Sequence, residues 1–183
     1  MSSKPQRADA RRNRERILAA AEEVFGQHGT GASTEEVAAR AGVAIGTVFR
    51  HFPTKRDLLS AIVKELLARL TAEVTELAAG DPRTALFDFF ARVVEQAAAK
   101  KSVVDLLAAG GVEVGVAEPL ATLRDAVGAL LAQAQDARAV RREVRLDEVM
   151  ALLTATAQGA LHGGWDDDLR RRTQEVIFAG LRP

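Results

Sequence analysis

Apolar residues recur along this chain at three- and four-residue intervals almost from end to end, the spacing that lines one face of an α-helix. From Arg11 onward, Ile17, Leu18, Ala21, Val24 and Phe25 keep that spacing until Gly29, which predicts a first helix. Residues 1–10 are polar and read as a flexible basic tail ahead of it. Ser33, with Glu36 three residues on, has the S/T-x-x-E pattern of a capping box, in which two N–H groups that a helix start leaves unpaired are taken up reciprocally. A second helix then runs to Ala41, and Gly42 supplies the residue that turns left-handed at least cost. A short third helix is predicted from Ile45 to Phe52, ended by Pro53. Thr54 and Asp57 repeat the capping pattern and open a long helix from Lys55 to about Ala79, with Leu58, Leu59, Ile62, Leu66, Leu67 and Leu70 on one face. Further on, Asp81-Pro82 is an N-cap followed by proline at the first helical position, so a helix should run from Pro82 to about Lys100. A short helix is expected over 102–109, then longer ones from Pro119 to Asp136, from Leu146 to Leu161, and from Asp166–Asp168 to Ala179-Gly180. The expectation is an all-α chain of about nine helices.

Composition agrees with helix: the 183 residues contain no tyrosine or cysteine and only five prolines. Without cysteine there is neither a disulfide framework nor a thiolate metal site. The start is polar and basic rather than a secretory signal, which points to the cytoplasm. The longest uncharged stretch, Val149 to Trp165, contains Thr, Gln, His and three Gly and falls short of the roughly 20 apolar residues a membrane span needs, so it reads as a buried helix. His162 and Asp166 do not make a metal pair, because Gly163-Gly164 breaks the helical spacing between them. Motifs for a zinc protease, a phosphate loop, a dinucleotide fold and a nucleophile elbow are absent, which argues against an enzyme and calls for no cofactor.

Net charge is zero, but it is unevenly spread. Residues 1–56 hold ten Lys/Arg against six Asp/Glu, a surplus of four that the remainder balances. A polyanion is drawn to one end of such a chain. That end carries the segment STEEVAARAGVAIGTVFRHFPTK, Ser33 to Lys55, which has the layout of a helix-turn-helix. Ala38 is small where two helices cross, Gly42 turns the chain, and Val37, Ala41, Val43, Val48 and Phe52 pack the pair into a wedge. With Val48 and Phe52 inward, Gly46, Thr47 and Arg50 face out, on a surface slim enough for a major groove about 12 Å wide. Arg50 can fork onto guanine or phosphate, Thr47 can reach a phosphate or a thymine methyl, and Ile45 offers apolar contact.

The stretch AGVAIGTVFRHFPTKRDLL, within a match from about Arg11 to Leu59, closely resembles the DNA-binding end of tetracycline-repressor (TetR/AcrR-type) regulators. That resemblance implies a three-helix DNA-binding domain over 11–54, followed by a helical ligand-binding and dimerisation domain over 55–183 that pairs through its last two helices. Carried over by position, Ser33, Thr34, Ile45, Gly46, Thr47, Phe49, Arg50, His51 and Lys55 form the DNA surface. Ala44 stands where serine commonly caps the third helix, Ile45 where lysine is frequent, and Phe49 where tyrosine is common. Affinity is therefore expected to rest on Arg50, His51, Lys55 and the N-terminal arginines.

Beyond Glu76 no sharp motif remains. By resemblance, Phe87, Phe90, Val93, Leu107, Leu123, Val127, Met150, Leu153 and Thr154 surround a pocket for an apolar small-molecule inducer, with Gln96, Thr156, Gln158 and His162 as polar candidates. The small residues Ala155, Ala157, Gly159 and Ala160, together with Leu169, Val176, Ile177 and Leu181, are expected at the dimer interface. The expected protein is a homodimeric repressor on a pseudo-palindromic double-stranded operator, released when inducer moves the helix that begins at Lys55. An activator or architectural factor without an inducer and, less compatibly, a helical enzyme are the alternatives.

Overall fold

A computed structural model describes residues 4–28, 31–99 and 116–183, and every regular element among them is a helix. They are α1 (Lys4–His28), α2 (Thr34–Ala41), α3 (Ile45–His51), α4 (Lys55–Ala78), α5 (Ala85–Ala99), α6 (Ala117–Asp136), α7 (Leu146–His162) and α8 (Asp167–Leu181). The ninth expected helix, over 102–109, and the pocket candidate Leu107 lie outside the described residues.

Two helix starts differ from expectation. Helix α1 begins at Lys4 rather than Arg11, so residues 4–10 are its first turns and not a separate tail. Pro5 is tolerated there because a first-turn N–H has no intrahelical partner. The following turns are rich in strong helix formers, and Arg12 with Asp9 and Arg11 with Glu15, 3.2 Å apart, pair along the surface. Periodicity cannot register such a stretch, because nothing in it needs to be buried. Helix α5 begins at Ala85 rather than Pro82. Asp81 still organises its approach: its carboxylate accepts from the Arg83 N–H at 2.9 Å, and its carbonyl accepts from the N–H groups of Thr84 and Ala85 at 3.1 and 3.0 Å. Residues 82–84 thus form a turn instead of the first helical turn.

The chain divides into two compact units, with one boundary within α4, between Glu65 and Leu66, and, among the described residues, another between Val116 and Ala117, Val116 belonging to the first unit. In the first, α1 packs on α2 and α2 on α3. Ile17, Ala21, Phe25, Val37, Val48, Leu58 and Ile62 are wholly enclosed, so each apolar stripe read from the sequence has closed on the others. Burial of this kind stabilises by about 25 cal/mol per Å² of apolar surface removed from water.

In the second unit α5 is the central element, packed on α6, α7 and α8. Leu86, Phe89, Phe90 and Val94 are buried along it, and Leu123, Val127, Leu130, Val149 and Leu153 close over it. Phe178 of α8 sits between two α5 aromatics, 4.8 Å from Phe87 and 5.5 Å from Phe90 between ring centroids, the latter edge-on. The start of α8 is built as its acids predict: Asp166 accepts from the Leu169 N–H at 2.8 Å, and Asp167 and Asp168 occupy the first turn.

The small residues of α7 have another use than the expected one. Ala157 and Ala160 are buried within this chain, and Gly159 lies under Trp165, whose ring would stand 2.8 Å from a Cβ placed there. Of the four expected at a partner helix, only Ala155 is exposed. No described helix is long and apolar enough to cross a membrane.

Candidate nucleic-acid interface

Helix α2 starts on the capping box read from the sequence. The Ser33 hydroxyl accepts from the Glu36 N–H at 3.1 Å, and the Glu36 carboxylate accepts from the Ser33 N–H at 2.9 Å. That backbone bond, more than the nearby His28, holds the Glu36 carboxyl below the usual glutamate range. Helix α2 ends at Gly42, left-handed with φ 62° and ψ 41°. The Gly42 N–H bonds the Ala39 carbonyl at 3.2 Å and the Val43 N–H bonds the Ala38 carbonyl at 3.1 Å, the reciprocal ending that lets a chain leave a helix sharply.

A contact from α1 fixes this turn further. Arg16 Nη2 donates to the Ala41 carbonyl at 2.6 Å, and a Cβ at Gly42 would come within 2.9 Å of the same nitrogen. Arg40 of α2 reaches Glu23 of α1 at 2.6 Å. The angle between α2 and α3 is therefore set by backbone geometry, by apolar packing and by one cation on the adjacent carbonyls of Ala41 and, at 3.4 Å, Gly42. In the sequence Arg16 is one basic residue among several. No spacing rule connects a residue on α1 to a carbonyl 25 positions later.

Helix α3 has Ala44 at its N-cap and, as the departure at that position implied, no side-chain cap. Val48 is fully enclosed and Phe52, the C-cap, is buried, with the Arg14 guanidinium 5.6 Å from its ring centre. The opposite side carries Ile45, Gly46, Phe49 and Arg50, all exposed. Ile45 is 36% and Phe49 42% exposed, so two large apolar side chains one turn apart are left open on a helix that buries its other face. A Cβ at Gly46 would meet nothing within 4 Å. Thr47 and His51 are half-buried at the margins, as are Ser33 and Thr34 at the start of α2.

Lys55 is turned to a local role. Its Nζ donates to the Ala32 carbonyl at 2.6 Å and lies 5.4 Å from the Phe25 ring centre, so the first residue of α4 is tied to the approach to α2.

Of the residues expected to line a ligand pocket, Phe87, Phe90, Leu123, Val127 and Leu153 lie in the core of the second unit, and Val93 and Met150 are half-buried. Thr154 is exposed and its hydroxyl donates to the Met150 carbonyl at 2.8 Å. Among the polar candidates, the Thr156 hydroxyl donates to the Leu152 carbonyl at 2.7 Å. Gln96 donates to both oxygens of Glu73 at 2.9 and 3.1 Å, bringing in a half-buried carboxylate that the sequence did not single out. Gln158 and His162 are exposed. No group of three His, Cys, Asp or Glu among the described residues could hold a metal ion.

Two family descriptions match the chain: "Bacterial regulatory proteins, tetR family" over residues 17–62, and "Transcriptional regulator SbtR-like, C-terminal domain" over residues 81–183. Among solved structures, a TetR transcription regulatory protein from Mycobacterium vanbaalenii is 37% identical, covering 98% of this chain and 100% of that one with a TM-score of 0.76. The TetR transcriptional regulator SCO0520 from Streptomyces coelicolor is 32% identical, with 93% and 98% covered and a TM-score of 0.72. A curated relative, the HTH-type transcriptional repressor Rv3405c of Mycobacterium tuberculosis, is 38% identical over 82 residues, 44% of the length of each chain. The chain's match thus spans less than half the length of that relative. An enclosed helix-turn-helix with one face left open, matched on one side by the regulator family and on the other by its C-terminal partner domain, is the build of a transcription regulator and not of an enzyme: the chain belongs to the TetR family of bacterial transcriptional regulators.

Proposed function

We propose that this chain is a homodimeric repressor that reads a pseudo-palindromic operator with α3 in the major groove and lets go of it when an apolar small molecule enters the second unit. The observation that carries the DNA-reading part is the outward face of α3, where Ile45 and Phe49 stand exposed beside Gly46 and Arg50 on a helix whose inner face is locked by Val48. Exposed apolar groups next to a guanidinium suit a base edge and its flanking phosphates, where thymine methyls and guanine acceptors lie side by side. Ser33, Thr34, Thr47 and His51 border that face as backbone contacts. Lys55, held on the Ala32 carbonyl, acts mainly by fixing α4 to the start of α2. Repression is the sign of regulation carried by the names of the M. tuberculosis relative and of BepR from Brucella suis, 43% identical over 58 residues, 31% of this chain and 28% of that one.

Dimerisation is supported by an exposed, uncharged face of α7 and by exposed apolar residues of α8, which stand beside Arg172 and Glu175. On α7, Ala151, Thr154, Ala155 and Gln158 are exposed and uncharged. On α8, Leu169 is 46% and Val176 74% exposed, on one stripe with Ala179. Thr154 therefore belongs with the partner surface rather than with the pocket. The inducer site is assigned to the apolar region around Phe90, Val93, Val127 and Met150, with Glu73 and Gln96 as its polar pair.

Selection of purified protein on a random-sequence duplex library at two salt concentrations tests this reading. An inverted repeat among the survivors is expected, because half-site arrangement mirrors a two-fold protein. Salt-sensitive binding without a shared motif would overturn sequence-specific repression.

A further inference from the structure

The second unit carries a groove of about 530 Å³ just past the end of α6, lined by the arginines Arg83, Arg138 and Arg182 together with Phe87, Ala137, Ala139 and Pro183. Its volume is within the range of small-molecule sites. Three features of it point to a ligand. Six arginines elsewhere in this unit are matched with acids: Arg124 with Asp147, Arg142 with Asp136, Arg145 with Glu148, and Arg170, Arg171 and Arg172 with Asp167 or Asp168. Arg83, Arg138 and Arg182 have no ion-pair partner among the described residues, although they come from three separate parts of the chain to one groove. Like charges lining one groove repel one another, and an oxyanion bound between them removes that cost.

Second, Arg138 has φ 57°, the one positive φ outside glycine among the described residues. It occupies the left-handed position of a helix ending in which Ala139 N–H reaches back to the Ala134 carbonyl at 2.8 Å. Glycine is the usual occupant of such a position, so an arginine keeps its backbone in a disfavoured region. Third, the groove is preformed. Arg182 lies 5.0 Å from the centre of the Phe87 ring, which fixes its guanidinium plane. The Arg141 N–H bonds the Leu181 carbonyl at 3.0 Å, and Gln135 Nε2 donates to the carbonyls of Arg141, Arg142 and Val144 at 3.0, 3.3 and 2.9 Å. Those bonds hold the segment after α6 against the end of α8. The neighbouring carboxylate of Asp81 accepts from the Arg83 backbone N–H.

We propose that this groove binds a small organic molecule ending in a doubly charged oxyanion, held between Arg83, Arg138 and Arg182 with its apolar part along Ala137 and Ala139. It is a second site, built on arginines that belong neither to α3 nor to the apolar region around Phe90. Calorimetric titration of the full chain with phenyl phosphate tests it, with phenol as the uncharged probe. Saturable binding is expected for phenyl phosphate and none for phenol. Arg83→Ala and Arg138→Gly should each weaken it about tenfold or more, the scale of a lost charge-assisted hydrogen bond. Arg92→Ala, an exposed arginine outside the groove, should leave it unchanged. Arg138→Gly should melt no lower than the parent, since glycine relieves the left-handed backbone, so loss of binding in that variant cannot come from unfolding. The proposal is overturned by no saturation up to about 10 mM, by equal affinity in Arg138→Gly and the parent, by equal binding of phenol, or by an equal loss in Arg92→Ala.

Discussion

Replacing Gly42 and Gly46 by alanine, one at a time, separates what holds the helix-turn-helix together from what touches DNA. At Gly42 the backbone is left-handed, with φ 62°, which costs an alanine roughly 1–2 kcal/mol. Its methyl would also lie 2.9 Å from Arg16 Nη2 and push the guanidinium off the Ala41 carbonyl. A charge-assisted bond of that kind contributes about 1.5–3 kcal/mol when fully made, and an exposed arginine loses only part of it by moving. A total destabilisation of about 2–3 kcal/mol is expected from the two effects. At Gly46 the opposite holds, because the position is helical and the space beyond it open, so alanine should stabilise by up to about 1 kcal/mol. Yet that methyl would project from the face assigned to the major groove. Urea denaturation with the slope held constant reads the stabilities, and fluorescence anisotropy on the selected operator reads affinity. Gly42→Ala should lose stability and affinity together, whereas Gly46→Ala should keep or gain stability and lose affinity. If Gly46→Ala bound the operator like the parent, α3 would not approach DNA through its first turn. If Gly42→Ala unfolded at the parent's urea midpoint, the turn would not depend on the left-handed residue.

Arg50→Ala should weaken operator binding by about 1–3 kcal/mol if the guanidinium reads a base, or lower the salt slope by about one if it holds a phosphate. Titration of affinity against salt distinguishes the two, and no change in either removes Arg50 from the site. Ala44→Ser adds the missing cap of α3 and should raise stability by about 0.5–1 kcal/mol, read as a higher urea midpoint. Because the Ser33 N–H lowers the folded-state pKa of Glu36, its stabilising effect is full above the ordinary glutamate value, about 4.3, and is lost as pH falls through the lower folded value. Glu36→Gln should therefore remove part of the acid-side fall in melting temperature, and an unchanged acid limb would show that the capping box does not hold in solution. Val176→Glu puts a charge on the most exposed large apolar residue of α8, and size-exclusion chromatography should show a shift from dimer to monomer, with an unshifted dimer placing the interface elsewhere.

Local signals were enough to place most of the fold. Ser33 and Glu36, Gly42, Asp166 and the apolar spacing of each helix act over one to two turns, so their consequences follow wherever the chain packs. The outward face of α3 was legible for the same reason: once Val48 is inward, helical geometry sends Gly46 and Arg50 outward. Tertiary structure decided what depends on partners far along the chain. Arg16 on the Ala41 carbonyl and Lys55 on the Ala32 carbonyl join side chains to backbone groups, and every residue offers the same carbonyl, so no residue type marks the acceptor. The alanines of α7 read equally well as room for a partner helix or for this chain's own core, and only packing assigned Ala157 and Ala160 inward and put Trp165 over Gly159. Arg83, Arg138 and Arg182 are scattered single charges in the sequence, and they line one groove because the turn before α5, the segment after α6 and the end of α8 converge. Short-range geometry is written in residue identity and spacing, whereas long-range coincidence of charge and shape arises only when the chain closes on itself.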